Sequence, residues 1–271
     1  MRPCVVVKWG GGLITDKATM KSVNIDLLDR LAEELRTVVN NGVDVLLVHG
    51  AGSFGHLKAK QYRLAEGRID GIINGEMTQD EAVVAVQNDM LELNEHVMAA
   101  LTAHDVSAVS WSPHRWVHGT GLNFNADLEV FRTAPHGIVV VTYGDVVPCD
   151  APSMFGILSG DDLVARLAME VDRVHRLVFA MGGVDGVLRS PPVEGVEQDL
   201  IKTLTPSTAY QGEHATDMDV TGGIGLKVHR GFEAARSGRE VIMVNGEVPG
   251  RFADACLGNS VVGTVLRVDE A

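Results

Sequence analysis

Three glycine-rich turns and a few lysines stand out as the residues able to do chemistry. Lys8-Trp9-Gly10-Gly11-Gly12 sets a lysine just before three consecutive glycines. Without a Cβ in the way, backbone N–H groups can approach phosphate oxygens, and the lysine adds a point charge. The turn fits neither G-x-x-x-x-G-K-[ST] nor G-x-G-x-x-G, so alone it reads equally as a plain strand-to-helix turn. His49-Gly50-Ala51-Gly52-Ser53-Phe54-Gly55-His56 is a second small-residue turn that opens a helix, a ready anion site. A lone histidine is usually structural. His56 follows a glycine turn, at about the first turn of the predicted helix, and is read here as a donor to an anion. In Asp219-Val220-Thr221-Gly222-Gly223-Ile224-Gly225-Leu226-Lys227, Thr221 can cap a helix, Gly222 and Gly223 expose amides, and Lys227 lies one turn in. Tyr143-Gly144-Asp145 and Ser159-Gly160-Asp161-Asp162 lie between these turns. Asp161 and Asp162 read as dipole partners of a helix N-terminus, a role compatible with a functional one.

The elements that must position these turns alternate along the chain. Apolar, β-branched runs at 5–8, 43–48, 106–110, 138–142, 176–181, 240–244 and 261–266 predict strands. Helical spacing over 25–38, 81–101, 163–171 and 223–236 predicts helices between them. Strand and helix in alternation imply an α/β fold, a three-layer αβα sandwich around a mostly parallel sheet. Residues 65–79 and 182–198 read as irregular. In such a sheet ligands bind outside the carboxyl ends of the strands, where these turns fall. Several glycine turns and lysines at one edge predict a polyanionic ligand gripped from several sides. Phosphoryl transfer needs alignment and positive charge more than covalent help, and these are suitable parts for it.

The chain has 271 residues, 45% of them hydrophobic, and a net charge of −13. That balance argues against nucleic acid or an anionic membrane as partner. No apolar run is long enough for a membrane span, and the N-terminal apolar stretch reads as a strand rather than a signal peptide. Three scattered cysteines, Cys4, Cys149 and Cys256, show no metal spacing and fit a reducing, cytoplasmic setting.

These motifs together resemble the amino acid kinase superfamily and, within it, the isopentenyl phosphate kinases. The resemblance runs over nearly the whole chain. It includes Ile14-Thr15-Asp16-Lys17 and the ending Val262-Gly263-Thr264-Val265-Leu266-Arg267. The turn ending in His56 is its narrowest element, although fosfomycin kinases share a similar histidine turn. The resemblance implies ATP as donor, taken as its Mg2+ complex, and isopentenyl phosphate as acceptor. It implies that Lys8 and Lys227 contact the transferring group, that Lys17 assists at the β- and γ-phosphates, and that Asp161 orients the lysines. Gly10, Gly11, Gly12, Gly52, Gly182, Gly222 and Gly223 are expected at the nucleotide. Gly50, Ala51, His56, Gly144, Ser159 and Gly160 are expected at the acceptor. A homodimer is implied as well, with an acceptor lobe over 1–172 and a nucleotide lobe over 173–271 sharing one sheet.

Two positions depart from the family pattern. Gly12 stands where a serine is usual, and Gly182-Gly183-Val184-Asp185-Gly186 replaces the common T-D-V-D-G. The second change affects contacts near the nucleotide. Val83, Val86, Met90, Leu93 and Val97 form a helical stripe that reads as core or as a wall for a five-carbon tail. Two other functions fit the same motifs: a kinase of a phosphonate or another small phosphate, of fosfomycin type, and a nucleotide- or oxyanion-binding protein without turnover. Lys8, Lys17, Asp161 and Lys227 together argue against the latter.

Overall fold

The structure is a computed structural model and describes residues 2–16, 19–69, 76–190, 197–210 and 223–268. The first half begins with β1 (Cys4–Trp9), a single helical turn α1 (Gly11–Ile14), α2 (Ile25–Asn40) and β2 (Asp44–His49). It continues with α3 (Gly52–Gln61), α4 (Gln79–Ala103), β3 (Ala108–Ser110), β4 (Val117–His118), β5 (Asn125–Ala126) and α5 (Glu129–Arg132). Next come β6 (Val139–Tyr143), β7 (Asp145–Pro148), β8 (Phe155–Leu158), α6 (Gly160–Glu170) and β9 (Val174–Met181). The chain ends with β10 (Thr203–Leu204), α7 (Gly223–Arg236), β11 (Glu240–Asn245), α8 (Arg251–Leu257) and β12 (Thr264–Leu266).

An eight-stranded sheet in the order β10-β12-β11-β9-β1-β2-β6-β3 runs through the molecule. The strands from β11 to β3 pair in parallel, and β12 pairs antiparallel with β11. The expected mostly parallel sheet is therefore present, and its closing strand is shorter than the sequence pattern suggested. Side chains alternate along β1. Val5, Val7 and Trp9 join one core with α2, α3, α4 and α8, while Cys4 and Val6 join a second core with α6 and α7. Both faces are covered, which is why the central strands read as unbroken apolar runs.

Local signals set the helix starts. Asn24 accepts from the Leu27 amide at α2, Thr78 and Glu81 form a capping box at α4, and Ser159 caps α6. Two small sheets stand apart from the main one: the pair β4–β5 and the antiparallel hairpin β7–β8. That hairpin, and α8, were not expected from the sequence.

Candidate active site

Each of the five adjacent parallel strands β6, β2, β1, β9 and β11 is followed at once by a glycine: Gly144, Gly50, Gly10, Gly182 and Gly246. The amides of Gly144, Gly50, Gly10 and Gly246 donate to the carbonyls of His49, Trp9, Ala180 and Met181 at 2.8–3.2 Å. Each of these carbonyls belongs to a residue at or next to the end of the neighbouring strand. The chain thus leaves the sheet in the same way at successive strands and forms one edge of small residues.

The first two turns are pressed together backbone to backbone. A Cβ on Gly11 would stand 2.2 Å from the Gly52 amide nitrogen, and one on Gly50 would stand 2.5 Å from that of Gly11. Gly52 also has φ +50°, a left-handed conformation that side chains rarely adopt. Thr15 Oγ1 accepts from the Ser53 amide at 3.0 Å and donates to the Gly11 carbonyl at 2.8 Å, which locks the two turns to one another.

Above this edge lies a cleft of about 570 Å³, a size suited to a small-molecule ligand. Gly10, Gly11 and Gly12 line it from the first turn, and Gly50, Ala51, Gly52 and His56 from the second. Gly144, Ser159, Gly160 and Asp161 close another side, and Gly182, Gly223 and Lys227 face them. Every site residue expected from the sequence lines this cleft except Lys17 and Gly222, which lie outside the described residues. His56 sits in the second turn of α3, slightly deeper than expected.

Asp161 organises the cations. It is fully buried at the start of α6, where Ser159 Oγ accepts its amide at 3.1 Å. One carboxylate oxygen is paired with Lys8, and the other accepts from Lys227 Nζ at 3.3 Å. The stem of Lys8 passes over Gly160, where a Cβ would stand 3.3 Å from Lys8 Cε. Burial is the largest influence on Lys8 and lowers its pKa from 10.5 to about 8; Asp161 opposes this, and the charge of Lys227 reinforces it. Two lysines on one carboxylate form a site with surplus positive charge, able to receive the oxygens of a phosphoryl group. Both oxygens of Asp161 are engaged, so it is poorly placed to take a proton.

The wall beside His56 is apolar. Gly55 leaves room for α4: a Cβ there would stand 3.2 Å from Met90 Sδ and 3.8 Å from Val86 Cγ1. Ala59, Val146 and Ile157 complete this wall. Val86 and Met90 are therefore both buried core and cleft lining, whereas Leu93 and Val97 belong to the core. The sequence reading missed Val146 and Ile157 because it did not assign the hairpin that carries them. Neither Asp145-Val146-Val147-Pro148 nor Phe155-Gly156-Ile157-Leu158 alternates apolar with polar residues, so the sequence carried no clear signal for it. Asp145 also borders the cleft, but its carboxylate accepts from His114 Nδ1 at 2.7 Å and from the Val146 amide at 2.8 Å, which stiffens the turn after Gly144. Burial raises its pKa, and His114 works against that rise.

The chain is similar to known proteins over nearly its whole length. Residues 3–245 match the amino acid kinase family. The chain is 32% identical to an isopentenyl phosphate kinase of Methanothermobacter thermautotrophicus, over 96% of this chain and 97% of that protein. It is 30% identical to one of Methanocaldococcus jannaschii, over 82% and 84% respectively. A crystal structure of isopentenyl phosphate kinase superimposes with a TM-score of 0.80 at 28% identity, covering 97% of this chain and 99% of that one.

Proposed function

The chain belongs to the amino acid kinase family, and from that premise we propose that it transfers the γ-phosphoryl group of ATP to isopentenyl phosphate, giving isopentenyl diphosphate. The observation that carries the reading is the pairing of Lys8 and Lys227 on Asp161, between two glycine turns, in a cleft with an apolar wall. The likeness to isopentenyl phosphate kinases over nearly the full chain supports the choice of acceptor.

In this reading Gly11, Gly12, Gly52 and Gly223 hold the ATP phosphates on backbone amides, while Gly10, whose amide is bonded to the Ala180 carbonyl, and Gly182 line the nucleotide side and leave room for the phosphates. Gly50, Ala51, Gly144, Ser159, Gly160 and His56 hold the acceptor phosphate, with His56 donating a hydrogen bond to a non-transferring oxygen. Lys8 and Lys227 turn from Asp161 towards the transferring group as negative charge spreads over its equatorial oxygens. The acceptor needs no general base, because a phosphate monoester with a second pKa near 6 is largely dianionic at about pH 7. That agrees with an Asp161 occupied by lysines. The tail lies against Val86, Met90 and Ile157, where burying five carbons contributes about 4 kcal/mol.

Lysines and backbone amides suit phosphate oxygens that bring their own metal, so Mg2+ is assigned to the nucleotide as its complex, where it neutralises charge on the phosphates. Lys17 and Gly222 are assigned to the nucleotide side from sequence alone. Residues 1–172 form the acceptor lobe and 173–271 the nucleotide lobe, joined where β1 pairs with β9. The three free cysteines suit the cytoplasm, and no described helix is long and apolar enough to cross a membrane. The working form is assigned as a homodimer on family grounds.

A panel of acceptors tests the assignment. ADP release should be fastest with isopentenyl phosphate and weak with fosfomycin. The reverse order would move the protein to the phosphonate kinases, and ATP binding with no turnover on any acceptor would leave a binding protein.

A further inference from the structure

The lysine that faces the cleft from α7 sits near the start of the helix, where only the partly buried Ile224 packs against the core. Residues 223–227 are only half-buried, and the first buried side chain of α7 is Val228. One turn beyond Lys227, Arg230 Nε donates to Asp162 Oδ1 at 2.6 Å. Positions 227 and 230 share a helix face, and they meet the consecutive aspartates 161 and 162 of α6. Two rungs therefore join α6 and α7: Lys227 to Asp161 and Arg230 to Asp162.

The rungs differ in one respect. Lys227 and Asp161 line the cleft, whereas Arg230 and Asp162 do not. A phosphate entering the cleft competes for the first rung and leaves the second intact. The side chains of Arg230 and Asp162 are only 14% and 6% exposed. A buried pair of this kind adds little net stability, because desolvation offsets the attraction, but it fixes a geometry. The flat guanidinium is a directional partner that a lysine ammonium does not reproduce.

We propose that Arg230 and Asp162 are positioning residues, whose ion pair docks α7 on α6 so that Lys227 can leave Asp161 for the transferring phosphoryl group without the helix shifting. The inference rests on the reading of Lys227 given above.

The test combines steady-state kinetics with hydrogen exchange of residues 223–236. Arg230→Met should lower kcat about tenfold, leave KM for isopentenyl phosphate within about twofold, and speed exchange of the α7 amides. Arg230→Lys should recover part of the loss. In a Lys227→Ala background, Arg230→Met should cost less than about twofold more, since the group it positions is gone. The same tenfold cost in both backgrounds would make the pair a general structural contact and overturn the proposal. So would wild-type kcat in either Lys227→Ala or Arg230→Met. Exchange that is unchanged in Arg230→Met overturns the docking whichever acceptor proves right. A wild-type enzyme that releases no ADP with isopentenyl phosphate contradicts the proposed function instead. If Arg230→Met does not fold, Asp162→Asn removes the same charge pair with little change of shape and is read in the same way.

Discussion

Lys8 is a cation that burial disfavours and a neighbouring carboxylate supports. With its pKa lowered to about 8, it loses its proton in a range open to assay. The free enzyme's kcat/KM for ATP should therefore fall above about pH 8, because the neutral amine no longer attracts phosphate. Stability should move the other way. Between about pH 8 and 10.5 the unfolded chain keeps a proton that native Lys8 has released, so this group makes the fold more stable as pH rises. A kcat/KM profile that stays flat to pH 9.5 would contradict the assignment. Lys8→Ala and Lys227→Ala should each lower kcat by about 10²-fold or more, the scale of losing one preorganised donor. His56→Ala should reduce kcat/KM for isopentenyl phosphate by about tenfold to a hundredfold, matching a charge-assisted bond of roughly 1.5–3 kcal/mol. ATP binding without acceptor should hardly change, and His56→Gln should recover part of the loss. An effect on ATP binding alone would exchange the two phosphate sites.

The elements explain why these residues meet. The glycine turns are neighbours because β1 and β2 are, and their contact leaves no room for side chains. Gly11→Ala and Gly50→Ala should each destabilise the fold by about 1–3 kcal/mol, as overpacking does, and should depress turnover with both substrates. Thermal unfolding would show it, and wild-type stability would mean that the turns can part. The wall formed by α4 and the β7–β8 hairpin makes a second prediction. Methyl phosphate, four carbons shorter than the acceptor, should show a kcat/KM lower by about 10²-fold, from about 0.8 kcal/mol per buried carbon. Equal rates would place the tail outside the wall. Much of this was legible in the sequence. Central strands buried on both faces are continuous apolar runs, and the turns at their ends are rich in glycine. The hairpin was not legible, because each of its strands is four residues long and Pro148 and Pro152 interrupt the pattern. Helix α8 has seven residues, too few for a clear period, although Gly250 and Gly258 at its ends, both left-handed, were a usable sign. The Arg230–Asp162 pair was hidden because no local pattern joins residues 68 positions apart.

At the scale of the whole molecule, an acidic chain must bind two anions and bring them together. With a net charge of −13, the distant field does not favour ATP. Affinity must come from the lysines and amides gathered at one sheet edge, at close range in a partly dry cleft. The six parallel strands serve this purpose by ending at the same edge, and the polar and apolar walls of the cleft fall on the same side of the molecule. The central claim is that one ligand phosphate is moved onto another. Phosphorus NMR of the purified protein with Mg2+, ATP and isopentenyl phosphate tests it most directly, because it reads both products together. The account predicts paired resonances of a new diphosphate monoester, growing one for one with ADP, and their loss in Lys227→Ala. ADP accompanied by inorganic phosphate, or no change in either substrate, would contradict it.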